Sequence, residues 1–257
     1  GGALGWLRAN LFSTPLSAAV TIVLLAVLAW ALWHAADWAI FGAIWAHVPP
    51  DVCKEQAEGA CWAFIAEKYR LILFGRYPFK EQWRPLLAVV ILICTVALSC
   101  NRAFWKTWLA GVWAGALVAF GALMWGGRLT GLSFVETSLW GGLPLTLILS
   151  VVGIVVAFPF SILLALGRRS YMPAIRAVCV AYIELIRGVP LISLLFMASF
   201  MLPLFLPTGT KIDALLRAQV AIIMFTAAYL AEVVRGGLQA IPKGQYEAAA
   251  ALDLGYW

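Results

Sequence analysis

From Leu143 to Leu166 the chain carries no charged side chain, and five other stretches come close to that pattern at similar length. A helix needs roughly 20 mostly apolar residues to cross the hydrocarbon layer, because lipid offers no partner to a free backbone N–H or C=O. Segments at approximately 18–40, 85–101, 107–126, 143–166, 188–206 and 214–234 meet that requirement. Composition agrees: 64% of residues are hydrophobic and 12% charged, where a soluble domain carries about 25% charged residues. Mean hydropathy is +0.94. The chain is therefore expected to be an all-α, polytopic integral membrane protein with six visible spans. Trp83, Trp105, Trp125 and Trp140 fall near the predicted span ends, as in an aromatic belt. The first apolar run is too long for a signal peptide and lacks a small-residue cleavage site after a short core.

Orientation is read from Lys and Arg in short loops. With the N-terminus inside, the inner segments hold Arg8, Arg102, Lys106, Arg168, Arg169, Arg176, Arg235 and Lys243. The outer ones hold Lys54, Lys68, Arg70, Arg76, Lys80, Arg84, Arg128, Lys211 and Arg217. That count does not separate the two sides. The compact basic turn Gly167–Arg176 favours a cytoplasmic N-terminus, because an inside start puts it, after the fourth of the six spans, in the cytoplasm. The net charge of +6 is accounted for by juxtamembrane arginines beside anionic headgroups and calls for no nucleic acid.

One sizeable hydrophilic excursion, residues 48–84, contains Cys53 and Cys61. Facing an oxidising compartment they can close a small disulfide loop; otherwise they are two free thiols. Cys94, Cys100 and Cys179 lie in or beside spans and read as packing residues. His34 and His47 are isolated and no CxxC pair occurs, so no metal site is expected.

Two charged segments carry most of the functional information. In YIELIRGVP, Tyr182–Pro190, Glu184 and Arg187 stand three apart on one helix face and can pair, as an anchor of a helix end or as part of a substrate path. Gly188 and Pro190 then disturb the helix. Glu232 and Arg235 repeat the spacing at the end of the sixth span. After a Pro242-Lys243-Gly244 turn, strong helix formers return over Gln245–Leu254, with Glu247 expected in the first turn.

These segments resemble a known family. Glu247-Ala248-Ala249 in a polar segment after a span is similar to the EAA motif of ATP-binding-cassette importer permeases. AEVVRGGLQAIPKGQYEAA (Ala231–Ala249), YIELIRGVP and LWGGLPLTLILS (Leu139–Ser150) resemble, in order and spacing, the polar amino-acid branch, which handles histidine, glutamine and general L-amino acids. GWLRANLFSTP (Gly5–Pro15) and GACWAFIAEKYRLILFG (Gly59–Gly75) resemble the M-type permease of the general L-amino-acid importer. The resemblance implies a type-1 importer permease fold in two parts. Residues 1–137 form an N-terminal extension of about three helices with the extracytoplasmic loop 48–84. Residues 138–257 form the permease domain, cut within its EAA segment, with about two further spans expected beyond it.

The resemblance also implies partners: an ATPase subunit, a second permease that is a paralogue, an extracytoplasmic amino-acid-binding protein, the bilayer and the L-amino-acid substrate. Glu247, Ala248, Ala249 and Leu252 match the helix that couples to the ATPase. The family's usual glycine at the seventh motif position is Asp253 here, with Gly255 two residues on, which puts the position of the bend in question. ATP and magnesium belong to the ATPase, since this chain has no GxxxxGK[ST] loop. The chain is thus expected to be no enzyme and to lie in the bacterial inner membrane, moving substrate by alternating access. The rival readings are an ion-gradient-driven secondary transporter and a structural membrane subunit. For the outer loop, reduction of the full-length protein should change its gel mobility, and the change should vanish in Cys53→Ser; no shift on reduction excludes the bridge.

Overall fold

A computed structural model describes residues 2–46, 53, 59–128, 130–207, 210 and 212–255. His47, Lys54 and Lys211, and most of the early part of the 48–84 loop, lie outside the described residues. The chain falls into two compact units, Gly1–Arg70 and Leu71–Trp257.

In the first unit a short helix α1 (Ala3–Leu11) precedes α2 (Pro15–Ala36), which runs on through a π-helical turn at Asp37–Phe41. Thr14 and Ser17 fix the start of α2 as a reciprocal capping box. The Thr14 hydroxyl accepts from the Ser17 N–H at 3.1 Å, and the Ser17 hydroxyl accepts from the Thr14 N–H at 2.9 Å. Pro15 occupies the first helical position, where its missing donor costs nothing. No residue of α2 is buried within the chain, as lipid contact requires of a span that is apolar on every side. After it, the Ala60 N–H donates to Trp38 O, the Ile44 N–H to Ala60 O and the Trp62 indole to Ala39 O. The sulfurs of Cys53 and Cys61 are bonded to each other beside this turn.

A helix α3 (Trp62–Phe74) then lies within the stretch whose charges predict a hydrophilic loop. In the second unit, α4 (Trp83–Ser99) and α5 (Trp108–Trp125) form an antiparallel pair. The last carbonyls of α5 need partners from outside the helix. Arg84, fully buried, donates from Nε to Leu123 O at 2.6 Å. The Tyr77 hydroxyl donates to Met124 O at 3.0 Å, and the Val135 N–H to Trp125 O at 2.9 Å. The Arg84 guanidinium also bonds Glu81 and the Ser133 carbonyl and lies over the Tyr77 ring. Burial pushes the Tyr77 hydroxyl up to about 12, so it remains a donor at any physiological pH. Around this cap, Phe74, Leu92, Phe120, Met124 and Trp140 pack as one core. Gly75 and Gly141 touch there: a Cβ on Gly75, whose φ is +62°, would lie 2.6 Å from Gly141 Cα.

The chain continues as α6 (Gly142–Arg168), α7 (Pro173–Gly188), α8 (Leu191–Phe205, through a π-helical turn at Met197–Met201), α9 (Ala214–Gln239) and a short α10 (Lys243–Ala251). Asp213 caps α9, accepting from the Leu215 and Leu216 N–H groups, and its other oxygen accepts from the Thr137 hydroxyl at 2.5 Å. Among the described residues five helices are long and apolar enough to span a membrane, and α7 with α8 make a sixth if the bent pair is one crossing. This corrects the expected fifth span at 188–206. Helix begins at Pro173, and Tyr182–Gly188 form its last turns, not the opening of a span. The chain then breaks and α8 departs at 102°. Pro190 lacks a donor and holds Val189 extended, at φ −104° and ψ 132°, which no α-helix can pass through.

The most extensive helix pair is α6 with α9. On α6 the buried positions Gly153, Ala157, Ser161 and Ala165 recur every fourth residue; on α9 they are Ala221, Ala227, Ala228 and Ala231. Small side chains at this spacing let two backbones approach closely in lipid, where the hydrophobic effect does not drive helices together. A Cβ on Gly153 would already lie 3.0 Å from the Ile222 Cγ2. Substituting Ala157→Leu should therefore destabilise the full-length protein by about 1–3 kcal/mol through overpacking, read as a lower thermal unfolding midpoint in detergent; an unchanged midpoint would mean the two helices do not meet at this seam.

Candidate functional site

The seam between α6 and α9 ends in charge. Glu232, on the last turns of α9 and 16% exposed, takes Arg168 Nη1 from the end of α6 on one oxygen at 2.5 Å. Its other oxygen takes Arg235 through Nε at 2.9 Å and Nη2 at 2.7 Å. Arg187, from the end of α7, stands 3.9 Å from that same oxygen, and its guanidinium lies 5.5 Å above the Tyr229 ring. Arg168 also reaches Glu184 on α7 at 3.0 Å. One carboxylate with two oxygens thus joins three arginines from three helices, and Arg168 extends the network to a fourth partner. Arg235 completes its fork on the Gln239 side-chain oxygen at 2.7 Å.

Glu184, Arg187, Glu232 and Arg235 are therefore brought together, but not as two independent pairs. Glu232 and Arg235 do pair along one helix. Glu184 and Arg187 do not: Glu184 turns to Arg168, and Arg187 turns to Glu232 and Tyr229. The i, i+3 spacing permits a pair, and the stronger partners across the helix interface take both residues away. Arg168 is the member that sequence reasoning missed, having counted it only as a topology signal. In sequence each glutamate already has an arginine three residues away, so no signal marked Arg168 as a further partner. On α6 the Thr146 hydroxyl donates to Gly142 O one turn back, and the backbone carbonyl of Ser199 accepts from Arg217.

Beyond the cluster, α9 leads through Ala240–Pro242 into α10. The helix begins at Lys243, so Glu247 sits in its second turn and not, as expected, in its first. Glu247, Ala248 and Leu252 are exposed, Leu252 to 72%. The helix closes with the Asp253 N–H donating to Ala250 O at 3.1 Å and the Leu254 N–H to Ala249 O at 3.0 Å. Those two bonds make a Schellman turn whose left-handed residue is Asp253, at φ +54°. The bend, whose position the missing glycine put in question, therefore lies at the seventh motif position. Aspartate tolerates the left-handed region better than most non-glycine residues. Among the described residues no group of three His, Cys, Asp or Glu side chains is placed to hold a metal ion.

Comparison with known proteins adds to this geometry. The family profile described as "Binding-protein-dependent transport system inner membrane component" matches residues 157–257. The inner membrane amino-acid ABC transporter permease protein YhdY of Escherichia coli (strain K12) is 46% identical over 267 residues, covering 99% of this chain and 69% of its own length. The glutamate/glutamine/aspartate/asparagine transport system permease protein BztC of Rhodobacter capsulatus is 36% identical over 320 residues, covering 100% of this chain and 74% of its own. A crystal structure of an amino acid ABC transporter with histidines is 33% identical over 43% of this chain and 50% of its own, with a TM-score of 0.39.

The charge cluster predicts a graded mutational response. In the full-length protein Glu232→Gln leaves three arginines facing one another and should cost about 2–4 kcal/mol. Glu184→Gln, at a side chain 57% exposed, should cost under about 1 kcal/mol. Thermal unfolding in detergent gives the ranking, and equal effects would count against Glu232 as the hub.

Proposed function

This chain belongs to the family of amino-acid ABC transporter permeases, and on that premise we propose that it forms the membrane path through which an ATP-driven importer brings L-amino acids across the bacterial inner membrane. It is a transporter permease and not an enzyme. Membership removes the ground for an ion-gradient-driven transporter or a merely structural subunit.

The observation that carries the mechanism is α10, an exposed, alanine-rich helix that follows directly from the charge-clustered end of α9. In our reading Glu247, Ala248, Ala249 and Leu252 present the surface that an ATPase subunit grips, while Asp253 and Gly255 set how the chain turns away. ATP and magnesium are held by that subunit. Because α10 is joined to α9, and α9 is tied through Glu232 to α6 and α7, a displacement of α10 is transmitted to three helices as a body. That is the requirement of alternating access, in which the ligand biases two arrangements of packed elements. Mutual saturation of the cluster supports an architectural role for Glu184, Arg187, Glu232 and Arg235 over direct contact with substrate.

The reading further assigns a cytoplasmic N-terminus, a paralogous second permease and an extracytoplasmic binding protein that delivers the amino acid. Residues 1–137 serve as an extension and 138–257 as the permease domain. Alignment of YhdY and BztC along nearly all of this chain, beside a family match confined to 157–257, supports that division.

Changing Glu247→Lys in the full-length protein should abolish ATP-dependent amino-acid uptake in membrane vesicles while membrane insertion, measured by fractionation, is retained. Asp253→Gly should preserve uptake, because it relaxes the left-handed residue without removing the turn. Normal uptake by Glu247→Lys would defeat the coupling role of α10.

A further inference from the structure

Two cationic side chains beside the cluster are left over. Arg169 at the end of α6 and Arg176 in the first turns of α7 are exposed, and neither has an ion pair among the described residues. They line a cavity of about 480 Å³ together with Arg168, Val180, Arg235 and Gln239. An adjoining cavity of about 540 Å³ shares Arg169, Arg176 and Val180 and continues past Ser170 and Pro173. Among the described residues the ion pairs of this cluster join Arg168, Arg187 and Arg235 to Glu184 and Glu232, and with Arg169 and Arg176 the five arginines exceed those two glutamates by three positive charges.

We propose that this arginine-lined cavity binds the phosphate group of an anionic ligand, either a lipid headgroup or free phosphate. A multiply hydrogen-bonding tetrahedral anion suits guanidinium forks, which present paired donors in a fixed plane. The start of α7 lines the adjoining cavity, and a helix N-terminus adds unsatisfied N–H groups and positive potential. Gln239, whose side-chain oxygen accepts from Arg235, adds a neutral amide donor to the cavity lining. Lipid is a physically direct source, because the site closes the membrane-border ends of helices that meet the length and hydropathy of spans.

The arrangement has a mechanical meaning. Arg168 and Arg169 come from α6, Arg176 from α7, and Arg235 and Gln239 from α9. No single helix makes the site, so it exists only while those three ends stand together. A bound phosphate therefore stabilises this arrangement of the bundle against any other in which the ends separate, by its differential affinity for the two. The glutamates already neutralise part of the cluster, which leaves Arg169 and Arg176 as the cations an anion can claim without breaking an existing bond.

The test uses the intact full-length permease in neutral detergent, titrated separately with inorganic phosphate and with short-chain phosphatidylglycerol, with sodium chloride at matched ionic strength as reference. Thermal unfolding is followed throughout. A saturable upward shift is expected with the lipid, with phosphate, or with both; a shift by lipid alone assigns the headgroup as the source, and a shift by phosphate alone assigns the free ion. Arg169→Gln with Arg176→Gln should weaken the apparent affinity by about tenfold or more. Arg102→Gln with Lys106→Gln, which removes the same charge from another exposed segment, should leave it unchanged. Both pairs are surface substitutions, and circular dichroism checks that each folds. A response no greater than sodium chloride gives, or one equally weakened by both double variants, would overturn the site.

Discussion

The close approach of α6 and α9 is the contact on which the second unit turns. In lipid an apolar side chain gains little by leaving one hydrocarbon surface for another, so helices hold together through dispersion at short range and through polar links. Gly153, Ala157, Ser161 and Ala165 against the alanines of α9 supply the short range. That proximity is also what lets Arg168 meet Glu232. A wider helix pair would leave a carboxylate and a guanidinium separated by lipid, each with its solvation cost unmet. The seam and the cluster are therefore one device, with packing setting the distance and charge fixing the register at its end.

The other half of the unit solves a different problem with the same economy. α5 ends close to the α4 start, and its final carbonyls are answered by Arg84, Tyr77 and the backbone of Val135. In sequence Arg84 looks like an interfacial residue whose charge reaches for water. Its full burial follows from the carbonyls it serves, because a guanidinium has donors enough to meet several acceptors at once. Sequence spacing cannot show this, since Leu123 and Ser133 lie far along the chain from Arg84.

What was legible in the sequence was whatever the bilayer dictates locally. Length and apolarity marked the spans of α2, α4, α5, α6 and α9 to within a few residues. The same criterion failed at Pro173–Phe205. There the amphipathic α7, carrying Arg176, Glu184 and Arg187, hides from a search for uncharged runs, and only its apolar continuation α8 stands out. The helix α3 was hidden by the charges Glu67, Lys68 and Arg70 for the same reason. In the candidate site the residues were found but not their partners. An i, i+3 rule sees one helix at a time, whereas Glu184 and Arg187 are satisfied across helices.

At the end of α10, finally, form and charge are separable. The two backbone bonds from Asp253 and Leu254 to Ala250 and Ala249 define the corner, and a glycine there would serve the geometry at least as well. The side chain is consequently free to be chosen for another reason. An exposed carboxylate at a fixed bend gives this surface an electrical polarity independent of its contour. A charged residue and a glycine at this position would share one backbone contour and differ in the charge they place on it.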